Sequence, residues 1–143
     1  MTSPLCLAVP LHSDLGRLGL DLRRRVFIVE QSVPPEIERD AYDDDATHIV
    51  ALLNGDVVGV LRMVDLPEHT KIGRVAVDAR FRGRGIATSL VRFAMDAARA
   101  RGRTRLYLTS QSDKVPLYEK LGFIAFGDEF EEASIPHRAM KTY

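Results

Sequence analysis

The run from residue 71 to residue 109 constrains the fold more than any other part of the sequence. "KIGRVAVDA" (71–79) reads as a strand rich in β-branched and small residues. From Gly85 to Arg101, apolar Ile86, Leu90, Val91, Ala94, Ala97 and Ala98 recur at helical spacing, and Gly102 follows as a C-terminal stop. "TRLYLT" (104–109) reads as a second strand. A strand–helix–strand unit of this length closes as a right-handed crossover with its strands parallel. The chain therefore needs a sheet with at least one helix-covered face.

The flanking elements make the sheet mixed. "CLAVPL" (6–11) reads as a first strand, and Leu15, Leu18, Leu22, Val26 and Val29 as the stripe of a helix ended by Pro34 and Pro35. The segment to Asp45 reads as loop, or as a short helix near Glu36–Arg39. "THIVALLNGDVVGVLRMV" (47–64) is a hairpin about Asn54-Gly55, a pair that tolerates positive φ. "SDKVPLYEKLGF" (112–123) reads as a short helix capped by Ser112 or Asp113, with Pro116 in its first turn and Gly122 at its end. "FIAF" (123–126) and "ASIPHRAMKTY" (133–143) read as closing strands. The expected class is α/β: a single domain spanning 1–143, with one mixed sheet and helices on both faces.

Composition narrows the chemistry. Cys6 is the one cysteine, which excludes an intrachain disulfide or a cysteine-rich zinc site. The four histidines are dispersed, and Asp43, Asp44 and Asp45 lack the spacing of a calcium loop, so no metal is expected. "MTSPLCLAVP" has no basic n-region, and no run approaches the ~18 apolar residues of a membrane span, so a cytoplasmic setting is expected. The formal net charge is zero but unevenly spread. Residues 71–105 hold ten Lys or Arg against two acids, whereas 34–45 hold six acids against one arginine. A neutral total argues against a nucleic-acid partner. The acidic segment has two readings: a solvated loop, or a lining that favours a cationic amine.

"FRGRGIATSL" (81–90) sits between the first strand of the crossover and its helix. A helix N-terminus presents unpaired N–H groups and partial positive charge, and Gly83 and Gly85 would let an anion approach the backbone. Arg82 and Arg84 add charge, and Thr88 a hydroxyl. The P-loop pattern is absent. A dinucleotide fingerprint fails at its third glycine, where Thr88 stands, and at the acidic ribose partner, where Arg103 and Arg105 stand.

Arg82-Gly83-Arg84-Gly85-Ile86-Ala87 resembles the [QR]-x-x-G-x-[GA] pyrophosphate loop of the GNAT superfamily of acyl-CoA N-acyltransferases. "QSDKVPLYEKLGF" (111–123) is similar to that family's second signature, through Tyr118, Gly122 and Phe123. "RRRVFIVEQSVPPEIERDAYDDDATH" and "SIPHRAM" resemble its small bacterial ElaA/YjcF-like branch. The resemblance implies six to seven mostly antiparallel strands with a splayed parallel pair. It implies acetyl-CoA as co-substrate, a primary amine of a small molecule or peptide as acceptor, and a possible homodimer. Pantetheine would pair with Val75 and Val77 as an added strand, and one of those amides would hold the oxyanion. The amides from Arg82 to Thr88 would hold pyrophosphate, with Gln111 and Lys114 touching the cofactor. Tyr118 would protonate the leaving thiolate. For a base, Glu30 and His137 are both candidates, and direct attack through a water chain needs neither. Many superfamily members carry a Glu on the fourth strand; "GRVAV" offers none before Asp78. A non-catalytic acyl-CoA sensor or interaction module of the same fold is the alternative.

Overall fold

The computed structural model describes residues 3–143, so the first two residues of the leading segment lie outside the description. Seven strands build one sheet: β1 (Leu5–Val9), β2 (Thr47–Leu53), β3 (Asp56–Asp65), β4 (Thr70–Val77), β5 (Leu106–Gln111), β6 (Ile124–Glu132) and β7 (Ile135–Lys141). Their spatial order is β1-β2-β3-β4-β5-β7-β6. Every neighbouring pair is antiparallel except β4–β5. Helix α1 (Asp14–Arg23) covers one face, where Leu22 and Val26 pack on Val9, Val50, Val60 and Ala76. Helices α3 (Ile86–Ala100) and α4 (Val115–Glu119) cover the other, where Leu90, Val91 and Ala94 meet Ile49, Leu61 and Leu108. The short α2 (Pro35–Glu38) follows α1. The expected α/β class with a splayed parallel pair is what the chain adopts. No helix among the described residues is long and apolar enough to cross a membrane.

The splay has a local cause. β4 and β5 pair only at Thr70–Leu106 and Lys71–Tyr107. On its other side β4 bulges: Arg62 opposes Gly73 but Val60 opposes Ala76, so β4 carries one residue more than β3. Arg74 absorbs the extra residue at φ 52°. A bulge bends its strand, and here it turns β4 away from β5, which pairs instead with β7 as far as Gln111.

Five local expectations need correction. Leu18 and Val29 are exposed rather than part of the stripe. The helix widens to i→i+5 bonding over Arg24–Glu30, with the Gln31 N–H donating to the Val26 carbonyl at 3.1 Å. Pro35 opens α2 instead of ending α1, because a missing N–H does no harm in a first turn. Neither Ser112 nor Asp113 caps α4: Ser112 donates to Glu129 at 2.8 Å, and residues 112–114 form a tight turn of their own. β6 runs past residue 126 to a two-residue turn at Ala133 and Ser134, both at positive φ, a conformation that neither residue type advertises. The 47–64 hairpin matches expectation, with Asn54 at φ 51° and Gly55 at φ 86°.

The acidic segment 34–45 is only partly solvated: Glu36, Asp44 and Asp45 face out, whereas Glu38, Asp40 and Asp43 are drawn into ion pairs. Arg23, 1% exposed, is forked onto Asp43 at 2.8 and 3.1 Å and donates to Glu38 at 2.8 Å. Arg62 donates to both oxygens of Asp40, at 2.6 and 2.9 Å, and to Asp43 at 2.9 Å. Arg74 donates to the carbonyls of Glu38 and Ile37 at 3.0 and 3.1 Å. Burial alone would disfavour the Asp43 carboxylate, but the hydrogen bonds and charges of Arg23 and Arg62 outweigh it and hold the group well below the usual range. The basic middle is likewise engaged: Arg80 pairs with Asp78, Arg82 with Glu30, and Arg101 with Asp65.

Removing Arg23 would take from buried Glu38 its closest cation and from buried Asp43 its two-bonded partner, leaving Asp43 to Arg62 and Arg39. Arg23→Ala is expected to cost roughly 3–5 kcal/mol in urea unfolding, whereas Arg17→Ala, at an exposed pair, should change little. Asp43 has a lower pKa folded than unfolded. Its contribution is therefore complete above the unfolded value of about 4 and is lost as pH falls below it. Stability measured between pH 5 and pH 2 should decline, and Asp43→Asn should flatten that decline; a parallel curve would refute the assignment.

Candidate active site

The gap between β4 and β5 opens into a cavity of about 940 Å³. It gathers residues from six parts of the chain: residues 62–66 at the end of β3, β4 from Lys71 to Val77, the 81–88 loop, β5 with α4, the segment from Val26 to Tyr42, and the β6–β7 hairpin.

The β4 edge is available. The Asp78 N–H donates to Val58 on β3 at 2.9 Å. Strand alternation then turns the amide of Val77, and that of Val75, toward the gap, where β5 offers no partner. Both valines line the cavity.

The loop is shaped at both ends. Asp78 accepts from the Arg80 N–H at 3.0 Å, and its carboxylate also takes Arg80 and Arg25. These bonds, the Arg80 side chain foremost, hold Asp78 ionised far below the usual range. Gly83 and Gly85 adopt φ 78° and 79° with open space where a Cβ would stand, a concavity that side-chain-bearing residues disfavour. The first intrahelical bond of α3 runs from the Ser89 N–H to the Gly85 carbonyl at 3.0 Å. The N–H groups of Ile86, Ala87 and Thr88 precede it and have no helical acceptor. This is donor geometry for an oxyanion group, and it fits a diphosphate. Arg84 departs from expectation: it does not line the cavity, and its guanidinium lies over the Phe81 ring at 5.2 Å.

Arg82 is tied inward. It donates to the Val77 carbonyl at 3.1 Å and forks onto Glu30 at 2.6 and 2.8 Å. The Arg82 hydrogen bonds lower the pKa of Glu30 despite some burial. The next residue, Gln31, accepts from Gln111 at the end of β5 at 2.8 Å. Two adjacent residues at the end of the widened helix thus tie to opposite walls of the gap.

Tyr118 is buried against Phe123, with ring centroids 6.2 Å apart in an edge-on arrangement. Burial pushes its phenol up to about 12. It lines the cavity, and among the described residues its hydroxyl has no hydrogen-bond partner. His137, from β7, donates through Nδ1 to the Ile135 carbonyl at 2.6 Å. That bond leaves the Nε2 lone pair free, 3.7 Å from Glu132. Lys114 and Thr88 also line the space. Residue patterns offered the 34–45 segment as a lining, and 37–42 does line the cavity; what they missed is the part of that wall made by Arg62, Arg74 and Gln31. The one available signal was Arg62, a charge inside the apolar run "VVGVLRMV".

The known proteins that this chain resembles share this architecture. Residues 19–123 match the family model described as the acetyltransferase (GNAT) family. The N-acetyltransferase YjcF of Bacillus subtilis, itself uncharacterized, is 32% identical over 120 residues, covering 83% of this chain and 86% of that protein. An acyl-CoA N-acyltransferase from Pseudomonas aeruginosa superposes with a TM-score of 0.84 at 30% identity, over 99% of this chain and all of that one. Escherichia coli ElaA superposes with a TM-score of 0.84 at 27% identity, over 100% of both chains. With the splayed strands, the glycine loop and the buried tyrosine converging on one cavity, these matches establish that the chain belongs to the GNAT family of acetyltransferases, in its ElaA/YjcF-like branch.

Proposed function

We propose that the protein transfers an acetyl group from acetyl-CoA to a primary amine of a small molecule or peptide. The observation that carries this reading is Tyr118: a protonated, unpartnered phenol lining the same cavity as the free β4 edge and the glycine loop. Pantetheine would pair with the β4 edge at Val75 and Val77, whose amides then face the thioester carbonyl. The amides of the 82–88 loop, with Lys114 nearby, would hold the diphosphate.

The chemistry divides into two proton movements. An amine of pKa about 10 attacks only after losing a proton, and the thiolate, of ordinary pKa about 8.5, leaves best on gaining one. Tyr118 supplies the second proton. Burial raises its pKa, and the same apolar surroundings raise that of the thiolate, so desolvation does not widen the gap between them. For the first, His137 is better placed than Glu30. Its Nε2 lone pair is free and Glu132 stands ready to balance the imidazolium. Glu30 is forked onto Arg82 and holds a proton less readily than an ordinary carboxylate.

Acetyl-CoA at 100 times its Kd should raise the unfolding free energy by about 2.7 kcal/mol. Tyr118→Phe should keep that thermal shift and lower CoA release by about a hundredfold or more. Absence of a shift at millimolar acetyl-CoA would sink the proposal; a shift without CoA release in either form would indicate a sensor. Glu30→Gln frees Arg82 at a half-exposed pair, so stability should stay within about 1 kcal/mol. CoA affinity by calorimetry should equal or exceed that of the parent, and a weaker affinity would mean the pair preorganises the loop instead of restraining it.

A further inference from the structure

The stretch 34–45 buries charge and exposes apolar bulk. Its charged Glu38 and Asp43 are buried, while its large apolar residues Ile37 and Tyr42 stand 49% and 55% exposed. Both apolar residues line the cavity, as do Phe27 and Val33. Exposed apolar bulk beside buried charge needs a reason beyond folding. The two acids by which this segment lines the cavity are also unavailable to a cation: Glu38 is held by Arg23 at 2.8 Å and Asp40 by Arg62 at 2.6 and 2.9 Å.

Arg74 is in a different position. Its Nε and Nη2 donate to the carbonyls of Glu38 and Ile37, which carry no net charge. Its carboxylate contacts are longer, at 3.3 Å to Asp40 and 3.5 Å to Glu38. Among the described residues its Nη1 has no partner, and its side chain is 23% exposed. The bulge places it at φ 52° in β4, adjoining Val75. A guanidinium with an unused donor, set beside apolar surface, suits a carboxylate attached to an apolar group.

We infer that this wall is the acceptor subsite and that the acceptor is an amine bearing a carboxylate and an apolar side group, of the kind found in an apolar amino acid. Arg74 takes the carboxylate, and Ile37 and Tyr42 cover the apolar group. Polyamines and other polycations are disfavoured on this wall, because Glu38 and Asp40, the acids that line it, are already paired with Arg23 and Arg62. This inference rests on the acetyl-transfer reading above.

Calorimetric titration of the CoA complex tests it with product analogues, so no turnover is needed. CoA is titrated first; failure of CoA to bind overturns the acetyl-transfer reading and this inference with it. In the CoA complex, N-acetyl-L-phenylalanine is expected to bind at least about tenfold more tightly than N-acetylphenethylamine, which lacks only the carboxylate. Arg74→Gln should abolish that ratio and Arg74→Lys should reduce it. Tyr42→Ala, at an exposed site, should weaken both ligands several-fold and leave their ratio unchanged. Equal binding of the two analogues, no binding of either to the CoA complex, tighter binding of N1-acetylspermidine, or a ratio unaffected in folded Arg74→Gln would each overturn the inference.

Discussion

Arg23 is the point on which one wall of the cavity hangs. An arginine removed from water is tolerated only when its donors are met by carboxylates of good geometry, and Glu38 and Asp43 meet them. Those acids lie in a segment with little regular structure of its own. The arginine draws that segment against α1, where it forms one wall of the cavity. Arg62 and Arg74 extend the same network onto β3 and β4. The ion cluster therefore sets where the irregular segment sits relative to the β4 edge.

The cofactor side relies on backbone geometry instead. The β4 bulge and the early end of β4–β5 pairing leave a strand edge without a neighbour. An unpaired edge inside a fold is a liability unless something occupies it. Two glycines at positive φ and the first turn of α3 continue that line of free donors. One wall is made by charges that cancel, the other by amides left open.

The fold was largely legible because its signals are periodic. The 86–98 stripe, the Asn54-Gly55 turn and the crossover rule fixed the sheet's centre, and the glycine loop stood at its expected junction. Tyr118 and His137, both singled out from the sequence, line the cavity. What stayed hidden depends on contacts distant in sequence. The acids at 38–43 resemble a solvated run until their arginine partners, 15 to 22 residues away, are brought against them. Arg82 looked like a free charge, but Glu30 lies 52 residues earlier in the chain. The Ala133–Ser134 turn and the helix widening carry no residue-type signature.

That widening has a consequence for how the chain tolerates change. Each wider turn uses an extra residue, so side-chain direction at its end depends on how many residues precede it and not only on which they are. Glu30 and Gln31 reach opposite walls because the count from Arg24 is what it is. Losing one residue anywhere from Arg24 to Val29 would rotate both side chains off their partners while leaving Glu30 and Gln31 themselves in place. In this stretch length itself is a constraint, and conservative substitutions should be accepted far more readily than a single deletion.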